Sequence, residues 1–100
     1  MGKQAQRVYT DSAGIQKLES LIEELPANGH VVLWLKDGSS CDGIVSTRPN
    51  VQLFRDPDQR EGINAVVQLE RPDVPEWKRH VWLDQIVRVE HLDSSMASES

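Results

Sequence analysis

Hydrophobic residues in the first quarter of this chain recur at intervals of three and four positions. The apolar positions are Ile15, Leu18, Leu21, Ile22 and Leu25. This spacing places them on one face of an α-helix. Asp11-Ser12 supplies residue types that cap a helix N-terminus, and Pro26 ends the pattern because proline cannot continue a helix. The sequence therefore predicts one amphipathic helix whose apolar face needs a partner surface.

After the helix the pattern changes to alternation with a period of two, which is typical of β-strands. Val31, Leu33 and Leu35 alternate before Asp37-Gly38, a dipeptide typical of tight hairpin turns. Gly43 in the returning strand indicates a sharp bend or the close approach of another strand. Extended segments are predicted at residues 31–36, 40–47, 51–55, 63–70, 77–83 and 87–91.

The connections between these segments have no helices, which predicts an antiparallel barrel rather than a parallel sheet. The chain has 100 residues, the size of one domain. We expect a flexible N-terminus at 1–10, a barrel domain with its helix at 11–92, and a flexible polar tail at 93–100.

Two segments resemble the sequence motifs of the Sm-like (LSm) family. The first is an alternating strand from Val31, a turn glycine at Gly38, and a strand glycine with an aliphatic pair, Gly43-Ile44-Val45. The second, VWLDQIVRV at 81–89, is a strand, a short turn and a strand. The resemblance implies a mainly β fold, in which an N-terminal α-helix precedes a strongly bent five-stranded antiparallel Sm-like or SH3-like barrel. The chain is further identified with a small uncharacterised bacterial family that has a variant Sm-like fold.

The residues that would bind RNA differ from the family pattern. RNA-binding members have Asp and Met-Asn after the bent strand, where this chain has Arg48-Pro49-Asn50-Val51. The Arg-Gly of the second motif is replaced by Asp84-Gln85, and a carboxylate repels phosphate. The resemblance therefore implies the fold, while RNA binding is expected to be weak or absent.

Composition narrows the class of protein. The net charge is −5, from 16 acidic and 11 basic side chains, whereas proteins that bind the phosphate backbone are usually basic. No apolar run approaches the ~20 residues that span a bilayer, and the N-terminus lacks the apolar region of a signal peptide. Cys41 is the only cysteine, which excludes an internal disulfide and a thiolate zinc site. We expect a cytoplasmic protein without membrane attachment.

Catalytic and cofactor motifs are missing from the sequence. No nucleophile elbow, Walker loop or Rossmann glycine set occurs. The three histidines, His30, His80 and His91, lack the spacing of metal ligands. We therefore expect no enzyme activity, no metal and no cofactor.

Trp34 and Trp82 are out of phase with the alternating apolar residues beside them, so both are expected to point away from the barrel interior. One interpretation is that the helix or the segment 51–55 covers them. The other is an exposed aromatic patch, with Phe54 as a third member, that serves subunit contact or base stacking.

Possible nucleic-acid contacts lie in loops and at strand ends. They are Arg48, Asn50, Arg55, Lys78 and Arg79. A contiguous basic face with Arg48 and Arg55 would favour RNA, and a neutral aromatic face would favour a protein partner.

We expect a non-enzymatic binding module for protein interaction or self-assembly through exposed strand edges, and the alternative is a divergent RNA-binding protein. A dimer is favoured over a six- or seven-membered ring. In Sm-like rings the last two strands of neighbouring subunits pair, and here Asp84-Gln85 lacks the glycine that sets this geometry.

Overall fold

The computed structural model of the protein describes residues 3–92. They form one α-helix, α1 (Ser12–Glu23), and a one-turn 3-10 helix (Leu83–Gln85). The strands are β1 (Lys3–Gln4), β2 (His30–Leu35), β3 (Ser40–Val45), β4 (Gln52–Arg55), β5 (Glu61–Asn64), β6 (Val66–Arg71), β7 (Val74–Trp82) and β8 (Ile86–His91). The predicted flexible tail at 93–100 lies outside the described residues. In the part of the chain that is described, no helix is both long enough and apolar enough to span a membrane.

The strands form two sheets. One has five strands in the order β7-β6-β3-β2-β8, and each of its neighbouring pairs is antiparallel. The other has three strands in the order β1-β4-β5, in which β1 runs parallel to β4. The prediction of a mainly β fold with one N-terminal helix is confirmed.

The closed five-stranded barrel predicted from the sequence is not observed among residues 3–92. There, β7 and β8 are the two edges of the five-stranded sheet. The expected single strand at 63–70 divides at Ala65, where β5 and β6 enter different sheets. The Asn64 side chain accepts a hydrogen bond from the Ala65 N–H at 2.8 Å and donates one to the Arg7 carbonyl at 2.9 Å. The side-chain amide of Asn64 thus bonds backbone groups that would otherwise be available for pairing in a continuous β-ladder.

Helix α1 begins as predicted, because Asp11 Oδ2 accepts a hydrogen bond from the Gly14 N–H at 3.2 Å. Leu18 is buried, and Leu25 lies buried just beyond the helix. Leu21 and Ile22 pack against the same core. The apolar face of the helix therefore covers the core of the sheets.

The core lies on one face of the five-stranded sheet. Val31 and Leu33 of β2 are fully buried, and Leu33 pairs with Cys41 on one side and Val89 on the other. A Cβ at Gly43 would lie 3.1 Å from the Cβ of Leu69. This confirms the predicted close approach of a neighbouring strand, here β6.

The N-terminal segment lies along the three-stranded sheet. Lys3 and Gln4 pair with Phe54 and Arg55, and the Tyr9 N–H donates to the Ile63 carbonyl at 2.9 Å. The alternating pattern of the sequence did not indicate strand β1, because two residues are too few to show a period.

Candidate functional site

Strand β8 and the neighbouring part of β2 form a mixed apolar and charged surface, here called the β8 edge and defined by Trp34, Val87, Arg88, Val89 and Glu90. Val87 is 60% exposed and Trp34 is 37% exposed. The Trp34 indole N–H donates to Glu90 Oε1 at 3.1 Å. Arg88 lies opposite Trp34 in the ladder, so the two side chains share the sheet face turned away from the core.

The opposite edge of the sheet, β7, has a different composition. Its exposed residues include Pro75, Lys78 and Arg79. Lys78 lies opposite Glu70 and Arg79 lies opposite Leu69, so the two predicted cations point to opposite faces of the sheet. Proline and lysine at an edge prevent another strand from pairing there.

A groove, here called the basic groove, lies between the loop after β3 and strands β4, β6 and β7. Its volume is about 440 Å³. It is lined by Lys3, Ser46, Thr47, Arg48, Pro49, Asn50, Gln52, Phe54, Val66, Gln68 and His80. Among the described residues that line it, none is Asp or Glu. The groove is therefore a local basic surface on an acidic protein.

Hydrogen bonds hold much of the groove wall in place. The Ser46 hydroxyl donates to Glu70 Oε1 at 3.0 Å and accepts from Gln68 Nε2 at 3.3 Å. Lys3 donates to the Gln52 side chain, whose amide in turn donates to Asn50 Oδ1 at 3.2 Å. These hydrogen bonds fix the positions of the polar side chains that line the groove.

Arg48 and Arg55, the two cations whose contiguity would favour RNA, have different surroundings. Arg48 and Asn50 line the groove, whereas Arg55 donates from Nη2 and Nε to Glu61 Oε2 at 3.1 and 3.3 Å. This cross-strand ion pair neutralises Arg55.

The aromatic candidates are divided between two places. Phe54 is buried, and its ring meets that of Trp82 edge to face at a centroid distance of 5.0 Å and an angle of 72°. Trp34 lies on β2, and its side chain is exposed to solvent. Phe54 belongs to the segment 51–55, so the contact matches the interpretation in which that segment covers Trp82.

One aromatic contact was missed in the sequence. The Arg71 guanidinium lies 4.1 Å from the centre of the Trp77 ring, a cation–π distance. The two residues come together because β6 and β7 form a hairpin through a short turn. The spacing of Arg and Trp across a predicted turn is the one signal that could have indicated it.

A smaller cleft of about 240 Å³ lies between helix α1 and the 3-10 helix. In it, the Tyr9 hydroxyl donates to Asp84 Oδ2 at 3.2 Å. Burial raises the pKa of the Tyr9 phenol above its ordinary value, and the charge of Asp84 and this hydrogen bond raise it further. Asp84, which stands where the family pattern has an arginine, thus binds the N-terminal segment through Tyr9.

Among residues 3–92 no group of three His, Cys, Asp or Glu side chains could hold a metal ion.

Comparison with known proteins agrees with this architecture. A family model described as Domain of unknown function (DUF3247) matches residues 2–92. The crystal structure of XC5848 from Xanthomonas campestris, described as a novel variant of the Sm-like motif, matches with a TM-score of 0.82 and 37% sequence identity. The match covers 90% of this chain and 97% of that chain. No curated protein matches the sequence. The resemblance to a divergent Sm-like variant is confirmed.

The two tryptophans provide a matched pair for a stability measurement. Trp82→Ala removes the partner of buried Phe54 and should lower the free energy of unfolding by about 3 kcal/mol. Trp34→Ala removes a more exposed ring and should cost about 1 kcal/mol. Urea unfolding of both variants gives the comparison, and equal losses would show that the burial of Trp82 is misjudged.

Tyr9 is the only tyrosine of the chain, so its ionisation can be followed by ultraviolet absorbance. We expect its pKa to lie above the ordinary phenol value of about 10. As the pH rises past that value, the unfolded chain loses its phenol proton first, so stability declines. Asp84→Asn should lower the pKa of Tyr9 only part of the way, because burial remains. A variant pKa equal to that of the wild type would contradict the assigned effect of the Asp84 charge.

Proposed function

The chain belongs to the DUF3247 family, and for this member we propose a non-enzymatic binding module that self-associates through the β8 edge. The observation that carries the proposal is an edge strand, β8, with a 60% exposed valine, next to a strand, β2, with a 37% exposed tryptophan. An edge strand presents backbone N–H and C=O groups that a second strand can pair. Apolar and aromatic side chains next to such an edge supply surface that association would remove from water.

The two edges of the sheet differ in a way that favours a dimer. Strand β7 carries Pro75, Lys78 and Arg79 among its exposed residues, which oppose pairing. A ring would need β7 of one copy to pair with β8 of the next, whereas pairing of β8 with β8 closes a two-fold dimer and leaves β7 out. The proposed assembly is therefore a dimer. We place it in the cytoplasm, where its one buried free cysteine, Cys41, would stay reduced.

A lysine placed on each edge separates the two arrangements. Val87→Lys should weaken self-association at least tenfold, about 1.4 kcal/mol, because the ammonium group would be brought against the second copy. Val74→Lys, a matched change on the exposed start of β7, should leave the dimer intact. Sedimentation equilibrium over a range of concentrations measures both constants.

Two results would contradict this arrangement. If Val74→Lys is the variant that dissociates, the β7 edge carries the contact. If the wild type stays monomeric at the highest soluble concentration, the protein does not self-associate and the proposed function is wrong.

A second proposal is weak binding of single-stranded RNA in the basic groove. Lys3, Arg48 and His80 line it together with the amides of Asn50, Gln52 and Gln68, and no carboxylate is found among its described lining residues. The buried ring of Phe54 is poorly placed to stack on a base. Phosphate contacts without stacking predict weak binding that does not depend on sequence.

The RNA proposal is tested by fluorescence anisotropy with labelled oligouridine and oligoadenine. We expect similar weak binding of both, with a slope of log affinity against log salt of about −1.4 for two phosphate contacts. The double variant Lys3→Ala, Arg48→Ala should abolish it, and Arg60→Ala, at an exposed turn, serves as the control. Tight uridine-selective binding, or an equal loss in the Arg60 variant, would contradict binding by phosphate contacts in this groove.

A further inference from the structure

We infer that two copies of the chain pair their β8 strands in antiparallel fashion about a two-fold axis at Val89, with Arg88 of each copy facing Glu90 of the other. The inference rests on the proposed self-association and adds the register of the contact. It follows from the direction of the backbone groups and from the order of charges along β8.

The β2–β3 hairpin fixes the direction of the backbone groups. The Leu35 N–H donates to the Ser39 carbonyl at 2.9 Å, so the backbone groups of Leu35 point toward β3. Backbone groups alternate along a strand, and those of Trp34 and Val32 therefore point toward β8. Their partners in the ladder are Arg88 and Glu90.

On β8 the same alternation gives the residue that faces outward. Arg88 and Glu90 direct their N–H and C=O groups to β2, so Val89 between them directs its own groups to the outer edge. Among residues 3–92, β8 has no strand on that side. Val89 of one copy can then exchange two hydrogen bonds with Val89 of a second copy across a two-fold axis.

The charges on β8 select this axis over its neighbours. An axis at residue 88 would place Arg88 opposite Arg88 of the second copy, and an axis at residue 90 would place Glu90 opposite Glu90. Like charges directly opposite each other are destabilising. An axis at Val89 instead creates two Arg88–Glu90 pairs, related by the symmetry of the dimer.

The side chains are available for these pairs. Arg88 and Glu90 side chains are 68% and 45% exposed, and within one chain their Nη2 and Oε2 atoms lie 3.9 Å apart. That distance is beyond hydrogen-bond length, so the contact within the chain is weak. In the dimer, Arg88 and Glu90 of the second copy would be a non-hydrogen-bonded pair, the type in which side chains come closest.

Trp34 and an irregular ladder complete the surface. The indole of Trp34 holds Glu90 through a hydrogen bond of 3.1 Å, so it keeps this carboxylate beside the axis. The β2–β8 register shifts between Trp34 and Leu35, and a bulge disrupts pairing locally. The contact is thus limited to a short stretch around Val89. Because it is two-fold symmetric, it is complete when two copies have paired.

A charge-reversal cycle tests the register. Arg88→Glu alone places two carboxylates opposite each other in both pairs, and Glu90→Arg alone places two guanidinium groups opposite each other. Each single variant should therefore dimerise at least tenfold more weakly than the wild type. In the heterodimer of an equimolar mixture, one copy carries glutamate and the other carries arginine at both positions, so the pairs across the axis have opposite charges.

The losses in both single variants distinguish the Val89 axis from an axis at residue 88 or 90, where each reversal would only replace one like-charge pair by another or leave the facing pair unchanged. The Val89 axis places position 88 of one copy opposite position 90 of the other, so the heterodimer joins the new glutamate of the first variant to the new arginine of the second. Its remaining pair joins native Glu90 of the first variant to native Arg88 of the second. Both pairs then carry opposite charges, and the mixture should form a heterodimer of nearly wild-type affinity. The double variant Arg88→Glu, Glu90→Arg should dimerise with itself, and Arg79→Glu on β7 serves as the control. Sedimentation velocity and circular dichroism report assembly and folding of each sample.

The outcomes separate the register from the proposed function. A monomeric wild type would overturn the self-association itself. A dimeric wild type whose single variants assemble as tightly as it does, or whose double variant and mixture both fail to recover assembly, would overturn the Val89 register and leave self-association standing. Loss of dimer in both folded single variants, with recovery in the double variant, would support the register. Recovery in the mixture would show that the loss comes from charge, because mixing cannot restore a general loss of stability.

Discussion

The surfaces of this protein depend on the position of β2, which is hydrogen-bonded on both sides, to β3 and to β8. Side chains on a strand alternate, so the burial of Val31 and Leu33 in the core forces Trp34 onto the opposite face. The same pairing sets Arg88 beside Trp34. A slip of one residue would exchange the core and surface sets, which is why the apolar alternation of β2 specifies both the fold and the β8 edge.

The second constraint is the break at Asn64. By binding the Ala65 N–H and the Arg7 carbonyl, its side chain ends β5 and joins the N-terminal segment to the three-stranded sheet. The segment that could have formed one continuous strand is therefore divided into β5 and β6, which belong to different sheets. The basic groove lies where strands of both sheets meet the loop after β3, and Lys3 reaches it because β1 pairs with β4.

Local patterns in the sequence were sufficient to predict the helix, the β2–β3 hairpin and the close approach at Gly43, since each depends on residues near one another in the chain. The division into two sheets was not predictable, because the apolar alternation continues through Asn64 and the hydrogen bonds of its amide are tertiary. Phase alone suggested that Trp82 points away from the core, but it could not show that Phe54 packs against it. Likewise, the pairing of Arg55 with Glu61 depends on the β4–β5 register, so a basic face could not be judged from composition.

The central claim, that the outer backbone edge of β8 pairs with a second copy, is tested most directly by amide hydrogen exchange measured residue by residue over a range of protein concentrations. The amides of Arg88 and Glu90 point to β2 and should be protected at every concentration. The amide of Val89 points outward and should exchange rapidly in dilute protein, then become protected as the dimer forms. A Val89 amide that exchanges at the same rate at all concentrations, while the protein is shown to self-associate, would contradict the account.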